Sequence, residues 1–215
     1  MKIIVVAGSP EQVSPLPTGD YYIGADQGAM AIIRQRLPLY LAIGDFDSVT
    51  PEEWRDIEKS AQHVEEFGAE KDETDLELAV QRAVELNPDE IILTQVTGGR
   101  LDHYMSAVHL MYRFQRQYAH IRFQIRDAYN IQYFLPAGKH DIMRDERYPY
   151  VSFFAWERGM TNVTLRGVKY EVTNDEIPLG STRFTSNEIV ASNATIAFEL
   201  GTVLVMHSRE DEKKA

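Results

Sequence analysis

The hydrophobic pattern of this chain changes character once, near residue 126, and that change limits the folds open to it. Before it, short apolar runs such as residues 3–7 and 91–96 alternate with longer segments of helical spacing, such as residues 101–118. Strands that alternate with helices of about ten residues or more indicate parallel βαβ units. We therefore predict a doubly wound, Rossmann-like parallel α/β domain over residues 1–126.

Beyond residue 126 no helical spacing remains, and the apolar runs are short and rich in β-branched and aromatic residues. Gly167, the pair Asn174-Asp175 and Gly201 separate several of these runs, as expected for turns. The pattern predicts an antiparallel β-sandwich over residues 127–215, so that the fold class is α/β followed by all-β. The predicted strands cover residues 131–135, 150–156, 163–166, 168–172, 189–191, 194–200 and 203–207.

Charge and cysteine content exclude several classes of function. The 215 residues include 33 acidic and 22 basic side chains, a net charge of −11, which argues against nucleic acid or an anionic membrane as a partner. Without cysteine there are no disulfides, thiolate zinc sites or cysteine nucleophiles. No apolar run reaches membrane-spanning length, and the apolar start is too short for a signal peptide, so we expect a cytoplasmic protein.

Acidic residues occur where predicted strands of the first half pass into helices. They are Asp26, Asp45, Asp47, Asp75 and Asp102. In a parallel sheet these junctions share the edge at the carboxyl ends of the strands, where ligands bind. Carboxylates brought together there would repel one another unless a cation lay among them. A hard divalent metal carrying a polyphosphate fits this pattern, and it would reconcile an acidic protein with a nucleotide ligand.

Two of these carboxylates lie two positions apart, directly after an apolar run and a glycine. Because side chains alternate along a strand, we expect Asp45 and Asp47 to point to the same side. Two oxygens at that spacing can bind one Mg²⁺ or its water ligands. The alternative is an ordinary turn, in which aspartate and serine are common.

The start of the third helix combines a structural signal with one unexplained cation. Thr74 and Glu77 have the spacing of a capping box, and acidic residues in a first turn complement the helix dipole. Neither effect explains Lys71, because the dipole disfavours a cation at that end of a helix. Lys71 would fit beside a phosphate group, or as an ion-pair partner of Asp72 or Asp75.

A glycine pair, Gly98 and Gly99, follows the clearest strand of the chain. Glycines let the backbone approach a ligand closely, and the helix start after them offers N–H groups to an anion. Arg100 can donate two hydrogen bonds to a phosphate. Asp102 would add a further carboxylate near the expected metal. The alternative is a glycine turn with Asp102 as the helix cap, and His103 in a first helical turn is more often structural.

Several segments, taken in order, resemble motifs of the thiamine pyrophosphokinase family. They are residues 25–29, 44–48, 71–75 and 97–103 and, in the β-rich half, residues 165–170 and 185–188. In the first of them Gln27 replaces the family's usual glycine. The resemblance covers nearly the whole chain, and the order of the segments makes it more specific than any one motif.

The resemblance implies an α/β domain followed by a β-sandwich, and transfer of the pyrophosphoryl group of ATP to the hydroxyl of thiamine, which gives thiamine diphosphate and AMP. It also implies Mg²⁺ as cofactor and a homodimer in which the partner's β-domain completes the thiamine pocket. By similarity, Mg²⁺ would be held by Asp45, Asp47 and Asp75. Asp26 and Asp102 would complete the acidic catalytic site.

The same resemblance implies two sets of ligand-binding residues. Those facing the phosphates of ATP would be Lys71, Thr74, Gly98, Gly99 and Arg100. Those facing thiamine would be Thr185, Ser186 and Asn187. Some members of the family carry an aromatic residue that stacks on thiamine in their last strands, whereas residues 202–207 contain no tryptophan here.

Two other functions fit parts of the pattern. The segment from Asp45 to Val49 matches the Asp-x-Asp-x-Val motif of haloacid-dehalogenase-type phosphatases, but that motif normally ends the first strand and here it follows a later one. A non-catalytic module that binds a Mg-nucleotide is the second alternative, and residues 185–187 would then be ordinary turn residues. The products formed from ATP and thiamine distinguish the three functions.

Overall fold

The computed structural model describes residues 1–9, 15–68 and 72–210 and divides the chain into two compact units, Met1–Asp127 and Ala128–Ala215. The first unit is an α/β structure and the second is rich in β-strands, as the sequence predicts at this level. Within these ranges no helix is both long and apolar enough to cross a membrane.

Strands and helices alternate through the α/β unit. In chain order they are β1 (Lys2–Val6), β2 (Tyr21–Ala25), α1 (Gln27–Arg34), β3 (Leu39–Gly44), α2 (Pro51–Ser60), β4 (His63–Glu66), α3 (Asp75–Glu85), β5 (Glu90–Thr94), α4 (Leu101–Gln117) and β6 (Arg122–Arg126). The sequence also predicts a short strand at residues 63–67, and β4 is present there.

Helix α1 ends earlier than its hydrophobic pattern suggests. The sequence predicts a helix to residue 37, ended by Pro38, but α1 ends at Arg34. Arg36 has a backbone φ of 57°, and its N–H donates to the carbonyl of Ile33 at 2.8 Å. A residue in the left-handed region closes a helix in this way, so the turn ends α1 before the proline is reached.

The six strands of this unit form a parallel arrangement in the order β6-β5-β1-β2-β3-β4. The chain builds outward from β1 through β2, β3 and β4, and then continues on the other side of β1 with β5 and β6. In open parallel sheets, ligands bind outside the carboxyl ends of the strands near such a reversal. The loops after β1, β2, β3 and β5 all open on that edge.

Both faces of this sheet are covered. Ile4 of β1 belongs to one buried cluster with Ile32 of α1 and Ile57 of α2, and all three are fully buried. Ile3 points to the opposite face and is equally buried, and α3 packs against β1, β2 and β3. Near-continuous apolar runs are expected for strands buried on both faces.

The start of α1 lies so close to β1 that only glycine fits at one position. A Cβ built on Gly28 would lie 1.8 Å from the carbonyl oxygen of Val6. Because that oxygen belongs to the backbone of a central strand, it cannot move aside cheaply. Gly28 therefore fixes the first turn of α1 against the carboxyl end of β1 and sets the position of Asp26 just before it.

The β-rich unit contains five strands among its described residues. They are β7 (Asn130–Met143), β8 (Tyr150–Arg166), β9 (Val172–Ile177), β10 (Asn187–Glu188) and β11 (Asn193–Ser208). Their order is β10-β8-β11-β7, with β9 paired to β8, and the pairs are antiparallel.

Two pairs of predicted short strands are each one long strand, so the sequence prediction was wrong on this point. Residues 150–156 and 163–166 both belong to β8, and residues 194–200 and 203–207 both belong to β11. Gly201, read as a turn, instead lies at an irregularity where the register of β11 against β7 and β8 shifts. Its φ of 95° suits a bulge as well as a turn, and sequence alone does not separate the two.

Two further predicted strands are absent as such. Of residues 168–172 only Val172 belongs to a strand, and residues 189–191 form no named strand. Val168 and Ile189 make a single isolated bridge instead. Gly167, with a φ of 75°, turns the chain here, and its carbonyl accepts from the N–H of Val190 at 3.0 Å.

One hydrophobic core serves the whole β-rich unit. Val151 and Phe153 from the first part of β8 belong to the same buried cluster as Val163 and Leu165 from its second part. All four are at most 1% exposed. The irregular region between the two parts therefore redirects β8 so that both parts face one interior.

Candidate active site

Three carboxylates meet at the carboxyl ends of the parallel strands. Asp26 directly follows β2, Asp45 directly follows β3, and Asp75 is the first residue of α3. Each offers an oxygen atom, and these oxygens all lie within 4.8 Å of one another. All three residues are partly buried. The predicted meeting of acidic residues at this edge is therefore present for three of the five.

The backbone around Asp26 directs its carboxylate into this cluster. Asp26 occupies the N-cap position of α1 but makes no capping hydrogen bond with its side chain, and its φ is 47°. Its Oδ1 accepts from the N–H of Phe46 at 3.3 Å. A Cβ built on Gly44 would lie 2.0 Å from that Oδ1, so the glycine at the end of β3 makes room for the carboxylate.

Asp47 lies outside the cluster, because the expected alternation of side chains does not extend to it. Strand β3 ends at Gly44, and Phe46 has a φ of 55°, which turns the chain between the two aspartates. The N–H of Asp47 donates to Oδ1 of Asp45 at 3.1 Å, and its own side chain is exposed. Phe46 packs against Trp54 of α2 with ring centroids 4.6 Å apart.

Burial and the crowding of negative charge shift the pKa of one of these three carboxyl groups. The pKa of Asp26 is raised from 3.8 to about 7, first by burial and then by the charge and hydrogen bonding of the neighbouring Asp75, while the N–H of Phe46 opposes the shift. The cluster therefore resists full ionisation when no cation is bound. Three converging carboxylate oxygens are the donor set that Mg²⁺ and similar hard cations prefer, so these residues fit a divalent metal.

The raised pKa of Asp26 predicts how stability depends on pH without metal. A carboxyl whose pKa is higher folded than unfolded contributes stability that is complete below its unfolded value of 3.8 and lost as pH rises through its folded value of about 7. We expect the melting temperature measured in chelator to decrease as the pH rises from about 4 to about 7. Asp26→Asn should flatten this slope, and added Mg²⁺ should restore stability at the higher pH. An equal slope in wild type and variant would contradict the assignment.

The glycine pair lies in a loop held from one side by the loop after β1. Gly98 and Gly99 have φ values of 80° and 86°, in the left-handed region that favours glycine. The hydroxyl of Ser9 donates to the carbonyl of Gly98 at 2.9 Å, and the N–H of Ser9 donates to the carbonyl of Gln95 at 2.9 Å. Ser9 was missed from the sequence, although its position just after the first strand is a signal for a ligand-binding loop.

Arg100 and Asp102 bind each other in this structure. Two nitrogens of Arg100 donate to the two carboxylate oxygens of Asp102, at 3.1 and 2.5 Å. This guanidinium lowers the pKa of Asp102 to about 2. Both side chains are largely exposed, and Asp102 lies outside the acidic cluster. Its Oδ1 also accepts from the N–H of His103 in the first turn of α4 at 3.0 Å.

The remaining predicted phosphate-binding residues are Thr74 and Lys71. Thr74 caps α3, since its hydroxyl accepts from the N–H of Glu77 at 3.2 Å, which is one of the two bonds of the predicted capping box. This bond orients the first turn of the helix and with it Asp75. Lys71 lies outside the described residues.

In the β-rich unit the predicted thiamine-binding segment is a tightly held turn. Ser186 has a φ of 55°, and its N–H donates to the hydroxyl of Ser152 at 3.0 Å. The hydroxyl of Thr185 donates to the carbonyl of Thr182 at 2.9 Å. Asn187 is fully buried, so its side chain binds neighbouring backbone groups in the interior of the unit.

Asn187 fixes an exposed aromatic residue that the sequence analysis missed. Its Oδ1 accepts from the N–H of Tyr170 at 3.0 Å, and its amide donates to the carbonyl of Tyr170 at 3.1 Å. The side chain of Tyr170 remains 56% exposed. Tyr170 closes the motif at residues 165–170, and an aromatic residue at the end of a recognised motif was the available signal.

Both units match known families. A profile described as thiamin pyrophosphokinase, catalytic domain, matches residues 16–123. A second, described as thiamin pyrophosphokinase, vitamin B1 binding domain, matches residues 139–203. A thiamine pyrophosphokinase from Bacillus subtilis is 37% identical over 216 residues, which cover 98% of this chain and 100% of the relative.

Solved structures agree over the same length. The crystal structure of thiamine pyrophosphokinase from Bacillus subtilis has a TM-score of 0.89 at 35% identity and covers 98% of this chain and 100% of that one. A thiamin pyrophosphokinase family protein from Enterococcus faecalis has a TM-score of 0.88 at 30% identity, with 98% and 99% coverage.

Proposed function

This chain belongs to the thiamine pyrophosphokinase family, and from that premise we propose how its residues divide the work of the reaction. It is an enzyme that transfers the pyrophosphoryl group of ATP to the hydroxyl of thiamine, giving thiamine diphosphate and AMP. The observation that carries the assignment of residues is the convergence of Asp26, Asp45 and Asp75 at the sheet edge. The haloacid-dehalogenase and non-catalytic alternatives explain neither family profile.

The acidic cluster is proposed as the site of a divalent metal, Mg²⁺. Asp26, Asp45 and Asp75 supply oxygens close enough together to share one ion. Asp47 would lie just outside the donor set, because its backbone N–H is bound to Asp45 while its side chain is exposed. When bound, the metal would neutralise negative charge on the phosphates of ATP.

The chain's own groups position the phosphates. The hydroxyl oxygen of thiamine attacks the β-phosphorus, the bond from that phosphorus to the α-phosphate oxygen breaks, and AMP leaves. The backbone at Gly98 and Gly99 would bind the transferred group, and Arg100 would exchange Asp102 for a phosphate oxygen. Lys71 would add a second positive charge. The proton of the hydroxyl passes to a carboxylate of the acidic cluster.

Thiamine recognition is proposed for the turn that contains Thr185, Ser186 and Asn187. The backbone of this turn is fixed by partly buried hydrogen bonds, and Tyr170, whose backbone is bound to Asn187, offers an exposed ring for stacking. An aromatic face also attracts the permanent positive charge of thiamine. Tyr170 would thus supply the aromatic contact that residues 202–207 lack.

Assembly, location and the finer description of the fold are also proposals. The resemblance to the family implies a homodimer in the cytoplasm, with the partner's β-rich unit completing the thiamine pocket. The order of the parallel strands supports a Rossmann-like description of the first unit. The shared core of the long strands supports a sandwich in the second.

Incubating the protein with ATP, Mg²⁺ and thiamine tests the function directly. We expect AMP and thiamine diphosphate in equal amounts, with no reaction when a chelator replaces the metal. ATP bound without AMP formation would favour the non-catalytic module. Phosphate released from simple phosphate esters, with no thiamine diphosphate, would favour the phosphatase.

A further inference from the structure

One buried carboxylate has no role in the reaction as described so far. Asp127 directly follows β6 and is the most buried acidic side chain among the described residues, with 8% exposure. A carboxylate loses favourable hydration when it is buried, and it is retained in an interior where partners compensate for that loss. The partners of Asp127 therefore indicate what it does.

Asp127 binds the loop that carries the glycine pair. The hydroxyl of Thr97 donates to Oδ2 of Asp127 at 2.8 Å, within the normal range for a strong hydrogen bond. Thr97 directly precedes Gly98, and strands β5 and β6 are neighbours in the sheet. The bond therefore ties the loop after β5 to the end of the adjacent strand.

The other side of the same loop is tied to the loop after β1. The N–H of Ala7 donates to the carbonyl of Thr94 at 3.1 Å, and both the N–H and the hydroxyl of Ser9 donate to carbonyls of the loop. The segment that includes Gly98 is thus held between two neighbouring strand ends. Asp127 is the attachment on one side, and Ser9 is the attachment on the other.

These hydrogen bonds matter because the loop has an uncommon backbone conformation, which it would not keep without them. Gln95, Gly98 and Gly99 all have positive φ values, and two glycines in succession are free to adopt many other backbone shapes. A ligand that binds a loose loop must first order it, which weakens binding. Holding the loop in one shape before the ligand arrives removes that loss.

We propose that Asp127 is a positioning residue that acts through the hydroxyl of Thr97 to hold the Gly98–Gly99 backbone in the shape that binds the phosphates of ATP. Asp127 itself touches no substrate in this assignment. The proposal rests on the proposed function, in which that loop binds ATP. It predicts a defect confined to ATP, because the thiamine-binding turn belongs to the other unit.

The test compares Thr97→Val with Thr97→Ser. Valine keeps the branched shape of threonine and removes the hydroxyl, whereas serine keeps the hydroxyl and removes the methyl group. We expect Thr97→Val to raise the KM for Mg-ATP about tenfold, as for the loss of one charge-assisted hydrogen bond, while the KM for thiamine stays within about twofold of wild type. Thr97→Ser should keep the wild-type KM for ATP.

A double-mutant cycle shows whether the two residues act together. If Asp127 works through Thr97, Asp127→Ala combined with Thr97→Val should raise the KM for ATP no more than Asp127→Ala alone. Additive effects would overturn the proposal, and so would equal losses in the valine and serine variants. Thermal melts identify variants that fail to fold, and the Thr97 pair still decides the question if Asp127→Ala does.

Calorimetry of Mg-ATP binding separates this proposal from the proposed function. A wild-type protein that forms no thiamine diphosphate would refute the function. The dissociation constants of Mg-ATP for wild type, Thr97→Val and Thr97→Ser would still measure how much the hydrogen bond between Thr97 and Asp127 contributes to ATP binding in that case. Equal dissociation constants in all three would refute the positioning role whatever the outcome for catalysis.

Discussion

Replacing Asp75 by asparagine is expected to lower the rate of thiamine diphosphate formation about a thousandfold or more without unfolding the protein. Its carboxylate shares the acidic cluster with Asp26 and Asp45, and its loss removes both a ligand and a negative charge from the proposed metal site. The amide of asparagine keeps the size of the side chain. The measurement is kcat/KM with saturating Mg²⁺, together with the melting temperature.

Stability in the absence of metal distinguishes this variant from a damaged protein. Asp75 raises the pKa of Asp26 by charge repulsion, so Asp75→Asn should be at least as stable as wild type in chelator at neutral pH. Wild type should gain stability from added Mg²⁺, and the variant should gain much less. Asp56→Asn, at an exposed position of α2, is the matched control with full activity. Wild-type turnover in Asp75→Asn would refute the metal site.

Asp47→Asn tests how much the exposed carboxylate of Asp47 contributes to the rate of turnover. The sequence argument expects it to abolish turnover, since it treats the aspartates at 45 and 47 as equivalent. The structure separates them, and a position of Asp47 outside the donor set predicts a smaller loss, of about ten- to a hundredfold. A loss as large as that of Asp75→Asn would restore Asp47 as a direct ligand.

Replacing Asn187 by alanine is expected to raise the KM for thiamine about thirtyfold or more while leaving the KM for ATP near its wild-type value. The change removes both hydrogen bonds that fix the backbone of Tyr170, together with an acceptor for the N–H of Glu188. Tyr170 would then lose its fixed position beside the turn. Steady-state kinetics with each substrate varied in turn provides the measurement.

Controls for this variant separate a local effect from general loss of stability. Asn187→Asp keeps the acceptor but sets a carboxylate oxygen against the carbonyl of Tyr170, so it should impair thiamine binding as well. Tyr170→Phe should keep most activity, because the ring is retained, whereas Tyr170→Ala should resemble Asn187→Ala. Asn193→Ala, in β11 of the same unit, serves as the comparison. A wild-type KM for thiamine in Tyr170→Ala would exclude the stacking role.

The α/β half was largely predictable because its signals are local. Its strands and helices appear in the sequence as changes of hydrophobic spacing, and Thr74 caps α3 as its spacing to Glu77 indicates. The gathering of acidic residues follows from parallel topology alone. The position of Asp47 does not follow, since it depends on the left-handed backbone of Phe46, which carries no glycine or asparagine signal.

The β-rich half was less predictable because its structure depends on distant pairing. A glycine between two apolar runs marks a turn or a bulge, and only the partners of β11 show that Gly201 is a bulge. A role for Tyr170 is indicated only by Asn187, which lies 17 residues further along the chain and binds both the N–H and the carbonyl of Tyr170. The pairing of Arg100 with Asp102 is likewise a choice of side-chain conformation that the sequence does not specify.

The continuity of β8 and β11 through the irregular region has a consequence for how the β-rich unit opens. Each strand supplies residues to the single core from both of its parts, so neither part can detach without exposing the interior to water. The paired amide protons on either side of the irregular region should consequently show one common free energy of opening in deuterium exchange. A pocket built on this unit would then be either fully formed or wholly lost, with no half-open intermediate to admit thiamine.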